Sequence, residues 1–228
     1  MSDSAVLLAK ARAAYEDIQD KALAASVLAD MSSWVATGDP PPAEALRAAG
    51  LVAEPRDPDT TAALRLVRGA FIRAWGYSVP CAEAVIALRK LRPLVEVGAG
   101  TGYWTAMLQS AGHDMIATDL QAEGVLSHGF RIGAHCSIES LEGQEAVRLH
   151  PERDVFCSWP TQGSTWVLSA AQAIQPGRRL ALIADGPGGV TGTPELFDFL
   201  TEKFEVTDHV ILPQFKNVYD HLTVYLRV

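Results

Sequence analysis

The chain has 228 residues, 48% of them hydrophobic, which is enough for one sizeable core. A net charge of −8, with one short basic cluster at residues 87–93, argues against nucleic acid as a partner and favours a small-molecule substrate. No apolar run reaches the roughly 20 residues that cross a bilayer, and the N-terminus lacks a secretory pattern. We therefore expect a cytoplasmic protein with no membrane partner. Three well-separated cysteines and scattered histidines predict no metal site.

Residues 1–75 are predicted to form a helical extension. Apolar residues recur at steps of three and four between residues 4 and 34, and Asp39 with the three prolines that follow stops this helix. A short helix is predicted in "AEALRAAG", and a longer one in "AALRLVRGAFIRAW", which Asp59 or Thr60 can cap. The extension is expected to act as a lid over a site in the rest of the chain, as the arm of a homodimer, or as both.

Residues 76–228 form a second predicted domain, in which strands alternate with helices. Strands are predicted at 94–98, 114–119, 134–139, 153–158, 179–185, 205–211 and 220–227, and helices at 79–91, 102–111, 141–149, 163–174 and 193–203. This alternation predicts an α/β fold with a doubly wound, mostly parallel, seven-stranded sheet. Only a short loop separates the last two strands, which predicts an antiparallel strand at the C-terminus.

The stretch "LVEVGAGTGYW" at residues 94–104 carries the clearest functional signal. It places Gly98, Gly100 and Gly102 at the carboxyl end of the first predicted strand of the sheet, where open α/β sheets bind ligands. The dinucleotide fingerprint G-x-G-x-x-G requires a third glycine at position 103, which is Tyr103 in this chain. The third glycine lies one position early, at Gly102, and this spacing argues against a NAD-dependent oxidoreductase, the enzyme class that the dinucleotide fingerprint would indicate.

The G-x-G-x-G spacing, with Glu96 two positions before the first glycine, resembles the first motif of class I S-adenosylmethionine (SAM)-dependent methyltransferases. Asp119 ends the second predicted strand at the family's ribose-binding position, and a carboxylate has two oxygens that can accept hydrogen bonds from the two ribose hydroxyls. The resemblance implies a Rossmann-like methyltransferase fold, with SAM as methyl donor and S-adenosylhomocysteine (SAH) as product. The segments "FCSWP" and "GPGGVTGT" are similar to those of a poorly characterised subgroup, from which no substrate carries over.

The resemblance also implies a cofactor site built from the glycine loop and the ends of the second and fourth strands. The expected cofactor-binding residues are Glu96, Gly98, Ala99, Gly100, Thr101, Gly102, Trp104, Asp119, Leu120 and Ser158.

The acceptor is expected to bind after the fourth strand and beneath the extension. Trp159 and Pro160 in "CSWPTQG" partly resemble the [DNS]-P-P-[YFW] segment of amino-methyltransferases. Trp75 and Tyr77 in "RAWGYSVP" lie where the extension joins the sheet. These residues are the expected substrate-binding set, and ordinary core packing is the alternative role for each.

Methyl transfer from an activated sulfonium depends mainly on positioning, so no catalytic signature is obligatory. Tyr77 and Asp185, the latter at the end of the fifth strand in "IADGPGG", are candidates to hold or deprotonate the acceptor. His128 and His221 are further possible bases, with structural roles as the alternative. The sequence thus predicts a methyltransferase acting on an oxygen or nitrogen atom of a small molecule. A SAM-binding protein that serves a partner without catalysis is the non-enzymatic alternative.

Overall fold

The computed structural model describes residues 25–51, 62–120, 133–215 and 217–228. Most of the predicted helix at residues 4–34 lies outside these ranges, as do Asp59, Thr60 and His128. After a helical turn at residues 25–29, the described helices are α1 (Met31–Thr37), α2 (Ala43–Ala48), α3 (Ala62–Ala74), α4 (Ala82–Arg89), α5 (Tyr103–Ser110), α6 (Gly143–Leu149), α7 (Trp166–Ala173) and α8 (Pro194–Lys203). The described strands are β1 (Leu94–Val97), β2 (Met115–Thr118), β3 (Ile138–Glu139), β4 (Asp154–Ser158), β5 (Arg179–Ala184), β6 (Phe204–Ile211) and β7 (His221–Arg227).

The described strands form one seven-stranded sheet in the order β3-β2-β1-β4-β5-β7-β6. Strands β1 to β5 pair in parallel, and β7 runs antiparallel between β5 and β6. The predicted fold class is therefore confirmed. Because β1 pairs with β2 on one side and with β4 on the other, the strand order reverses at β1, and a crevice opens at the carboxyl ends of these strands.

Most predicted strand boundaries lie within one residue of those observed, and β3 is the exception. It was predicted at residues 134–139 but contains two residues, Ile138 and Glu139. The backbone N–H of His135 donates to the carbonyl of Thr101 at 2.8 Å, so the preceding segment is held against the glycine loop instead of pairing with β2. The helical residues 25–29 are followed by a turn at Asp30, and α1 then continues to Thr37, where Gly38 caps it with a φ of 71°, just before the predicted stop at Asp39.

Two apolar clusters cover the two faces of the sheet. Successive residues of β1 face opposite sides of the sheet, with Leu94 in one cluster and Val95 in the other. The cluster around Leu94 also contains Met31, Leu46 and Phe71 from the extension. The described part of the extension therefore packs on one face of the sheet. No helix in the described ranges is long and apolar enough to cross a membrane.

We expect Leu46→Ala to lower the free energy of unfolding by about 2–5 kcal/mol, because Leu46 is 1% exposed within this core. Ile86→Ala on α4 is the matched control, since Ile86 is 56% exposed and its truncation should change stability by less than about 0.5 kcal/mol. Urea denaturation of both variants measures the difference. Equal stabilities would mean that α2 does not pack on the sheet.

Candidate cofactor and acceptor site

A cavity of about 340 Å³ lies above the carboxyl ends of β1, β2 and β4, where the strand order reverses. Its volume falls within the roughly 300–1,000 Å³ usual for small-molecule sites. The predicted site residues that line it are Trp75, Tyr77, Glu96, Gly98, Ala99, Gly100, Thr101, Trp104, Asp119, Leu120, Ser158 and Trp159. Gly102, Pro160 and Asp185 are not in this lining. The structure therefore brings together most of the residues that the sequence singled out.

The glycine loop and Asp119 form one hydrogen-bonded unit. Gly98 and Gly100 have φ values of 69° and 58°, a left-handed conformation that favours glycine. A Cβ on Gly98 would also lie 2.5 Å from the ring of Trp166. The turn thus needs glycine whether or not a ligand is bound. The N–H of Gly100 donates to Asp119 Oδ2 at 2.9 Å, which fixes the loop to the end of β2.

Glu96 lies beneath this loop on β1 and is 1% exposed. The hydroxyl of Thr105 donates to its Oε2 at 2.5 Å. Burial raises the pKa of Glu96 to about 8; the hydrogen bonds from Thr105 oppose this shift, and the charge of Asp119 adds to it. Glu96 therefore carries a proton at neutral pH more often than an exposed glutamate does.

The segment that leaves the extension is fastened to the site. The hydroxyl of Thr101 donates to the carbonyl of Trp75. Ser78 Oγ accepts a hydrogen bond from Trp104 Nε1 at 3.0 Å and shares another with Ser158 Oγ at 2.9 Å. These bonds connect residues 75–78 to the glycine loop, to α5 and to the end of β4.

A stacked aromatic pair lies at the β4 side of the cavity. The rings of Tyr77 and Trp159 are 4.8 Å apart at an interplanar angle of 8°. Trp159 has a φ of 60°, which is uncommon for a residue other than glycine. Its indole N–H donates to Asp220 Oδ1 at 2.6 Å, and the guanidinium of Arg68 lies 5.2 Å from its ring centre. Pro160 is buried behind this pair, where its carbonyl accepts from the N–H of Gly192.

Three other predicted residues lie outside the cavity lining. Asp185 accepts hydrogen bonds from the backbone N–H groups of Tyr219 and Val190, at 2.7 and 3.1 Å, and these are the contacts of a loop anchor. Gly102 is the N-cap of α5. His221 stacks on His209 at 5.0 Å, and burial lowers its pKa.

Sequence reasoning missed several side chains around the cavity. Those in the lining are Tyr103, Leu141, Glu142, Thr161, Ser164 and Trp166, and those that support it are Arg68, Ser78 and Asp220. Ser78, Tyr103 and Thr161 lie within segments quoted above, but no feature of those segments singles out these side chains, and the others belong to no short motif. Most lie on loops that only the folded sheet brings to this edge, so the sequence carries little signal for them.

No protein-family model matches the chain, and no curated protein matches it. Among solved structures, it is similar to magnesium protoporphyrin IX methyltransferase from Synechocystis PCC 6803 with bound SAM, at 16% identity over 74% of this chain and 100% of that chain, with a TM-score of 0.44. It is also similar to the N-methyltransferase NodS from Bradyrhizobium japonicum WM9 in complex with SAH (14% identity, 64% of this chain and 84% of that chain, TM-score 0.42). A third is a SAM-dependent methyltransferase from Archaeoglobus fulgidus (9% identity, 72% and 94%, TM-score 0.44). At these identities and TM-scores, the activity has to follow from the site itself.

We expect the stability of the protein to depend on the proton held by Glu96. With a folded pKa of about 8 against the ordinary 4.5, the folded chain binds more protons than the unfolded chain between these values. The free energy of unfolding should therefore fall as pH rises from about 4.5 to 8. Glu96→Gln, which stays neutral and can still accept from Thr105, should reduce this slope in urea denaturation at pH 5 and pH 8.

Glu145→Gln is the control, because Glu145 is exposed on α6 and its substitution should leave the slope unchanged. A slope in Glu96→Gln equal to that of the parent protein would show that Glu96 is ionised in the fold.

Proposed function

We propose that this protein is a SAM-dependent methyltransferase that transfers a methyl group to an oxygen or nitrogen atom of a small molecule. The observation that carries the proposal is the meeting of the glycine loop, Asp119 and the cavity at the point where the parallel sheet reverses its strand order. Open α/β sheets bind ligands at this point. The G-x-G-x-G spacing favours SAM over a dinucleotide.

The residues at the loop end of the cavity suit a ribose-containing cofactor. Asp119 lines the cavity beside Gly100, and its carboxylate has two oxygens with several acceptor positions, a chemistry that suits the two hydroxyl donors of a ribose. Leu120 beside it is 66% exposed and offers an apolar surface. When bound, SAM supplies a methyl group already activated on a sulfonium. The chain must therefore orient the acceptor and exclude water, with the reacting atoms held roughly 3–3.5 Å apart.

The charge of the cavity favours a neutral or cationic acceptor. Asp119 and Glu142 are acidic residues of the lining, as is Glu96, whose raised pKa favours its neutral form at neutral pH, and no lysine, arginine or histidine belongs to the lining among the described residues. An anionic acceptor would meet repulsion there, whereas the aromatic side chains of the lining can contact an apolar or cationic group. An amine fits this environment well.

The acceptor end offers hydroxyls for orientation and one candidate base. Ser158, Thr161 and Ser164 line the cavity and can donate to or accept from an acceptor atom. Tyr77 also lines it and remains the candidate to hold or deprotonate the acceptor. The contacts of Asp185 suit a supporting role in the adjacent loops.

The extension is proposed to complete the acceptor side of the site. Trp75 and Tyr77 follow α3 directly and line the cavity, which supports this role. A homodimer through the N-terminal helices is the second possibility, and sedimentation equilibrium distinguishes a monomer from a dimer. A truncation near residue 60 would remove the buried residues Met31 and Leu46, so substitutions within the cavity are cleaner tests of a lid.

Two alternatives are separable by binding and turnover. A NAD-dependent oxidoreductase would bind NAD in calorimetry and not SAH, whereas the proposed enzyme should bind SAH. A SAM-binding protein without catalysis would bind SAH but give no methylated product across a panel of amines and alcohols.

Asp119→Ala is expected to weaken SAH binding by about 10- to 150-fold, because it removes charge-assisted hydrogen bonds worth roughly 1.5–3 kcal/mol. Isothermal titration calorimetry measures the dissociation constant. Asp198→Ala, at an exposed carboxylate on α8 outside the cavity lining, is the control and should bind SAH as the parent does. An unchanged affinity in Asp119→Ala would overturn the ribose assignment.

A further inference from the structure

A buried carboxylate lies behind the acceptor end of the cavity, and the proposed transfer does not use it. Asp220 directly precedes β7 and is 1% exposed. Its backbone carbonyl accepts from the N–H of Leu212 and from Gln214 Nε2, both at 3.1 Å. The main chain at Asp220 is thus held by the fold. Its Oδ1 accepts the indole N–H of Trp159 at 2.6 Å, so a fixed carboxylate determines the position of a cavity-lining ring.

The hydrogen bond from Trp159 has a specific geometric effect. Indole has a single N–H donor, so the bond to Asp220 restricts how the ring turns about its own side chain. The left-handed backbone at Trp159 is unfavourable for a residue other than glycine and persists only where the surroundings enforce it. The surroundings here are the Tyr77 ring, the Arg68 guanidinium and the Asp220 carboxylate.

Titratable groups face Asp220 from several elements. Arg68 comes from α3, Tyr103 from α5 and Asp185 from the end of β5, and Tyr77 lies near Arg68. Burial raises the pKa of Asp220 to about 7; the Trp159 hydrogen bond and Arg68 oppose the shift, and Asp185 adds to it. His221 is the next residue, and its ring stacks on His209 of β6.

Arg68 is half-buried, and its Nε is buried without a hydrogen-bond partner among the described residues. Burial lowers its pKa, and Asp220 is the first of the nearby groups that oppose this. The guanidinium and the carboxylate therefore favour each other's charged forms, with Trp159 in contact with both.

We propose that Asp220 is a positioning residue for the acceptor pocket, because it holds the Trp159 indole against Tyr77 and thereby sets the shape of the wall on which the acceptor binds. That an acceptor binds against this wall rests on the proposed function, whereas the position of the Trp159 ring does not depend on it. A charged carboxylate accepts a stronger hydrogen bond than a neutral one. The wall is accordingly held more firmly when Asp220 is ionised.

The position of the ring can be followed by NMR without a substrate. The chain has five tryptophans, so a ¹⁵N–¹H spectrum contains five indole N–H signals, and Trp159→Phe identifies the signal of Trp159. In the parent protein this signal should move between pH 5.5 and 8.5 with a midpoint near 7, to lower field at high pH. In Asp220→Asn, which keeps an oxygen acceptor but cannot ionise, the signal should persist and no longer titrate.

Asp208→Asn on the neighbouring strand β6 is the matched control, since Asp208 pairs with the exposed Lys90. In this variant, the Trp159 indole signal should titrate as it does in the parent protein. A Trp159 signal at the same position in the parent and in Asp220→Asn at pH 8.5 would overturn the proposal. A signal that still titrates in Asp220→Asn would assign the effect to another group, such as His221, and would overturn it as well.

Calorimetry with SAH separates this inference from the proposed function. Asp220→Asn should bind SAH within about threefold of the parent, because Asp220 is not part of the cavity lining. A loss as large as that expected for Asp119→Ala would mean that Asp220 supports the whole site, and would contradict a role confined to the acceptor wall. If the parent itself does not bind SAH, the proposed function fails, while the indole titration still decides whether Asp220 positions Trp159.

Discussion

The reversal of strand order at β1 is the constraint on which the rest of the site depends. The strand pairs with β2 on one side and with β4 on the other, so the connections that follow diverge and leave a crevice between them. The chain then turns from β1 into α5 within residues 98–102, through glycines in left-handed conformations. Asp119 and Ser158 come from the two flanking strands. Three connections distant in sequence thus meet around one cavity.

Residues at the junction between the extension and the sheet have two roles: they line the cavity and they hold the extension in place. Thr101, Trp104 and Ser158 hold residues 75–78 through hydrogen bonds, and the helices before the junction pack on one face of the sheet. Residues that line the cavity therefore also attach the extension. In this arrangement the shape of the cavity cannot vary independently of the packing between the extension and the sheet.

Sequence reasoning succeeded where the signal was local. The alternation of strands and helices predicted the sheet, and the glycine spacing together with the end of a strand located Asp119. The same end-of-strand signal selected Asp185, yet both of its oxygens accept from backbone N–H groups of loops whose positions cannot be derived from a local pattern. Asp220 was missed because it meets Trp159 across 61 positions of sequence. The predicted β3 is too long because the residues before Ile138 contact the glycine loop instead of pairing with β2. The N–H of His135 donates to the carbonyl of Thr101 there.

The left-handed backbone at Trp159 sets backbone strain against side-chain packing at one position. Glycine, or to a lesser degree asparagine, would relieve the conformational cost there. Neither replacement carries a ring that can stack on Tyr77 or an indole N–H for the buried Asp220 carboxylate. The loss of these contacts should cost more stability than the relieved strain returns. Directed evolution for heat resistance should therefore retain tryptophan at residue 159, although the backbone conformation alone favours glycine.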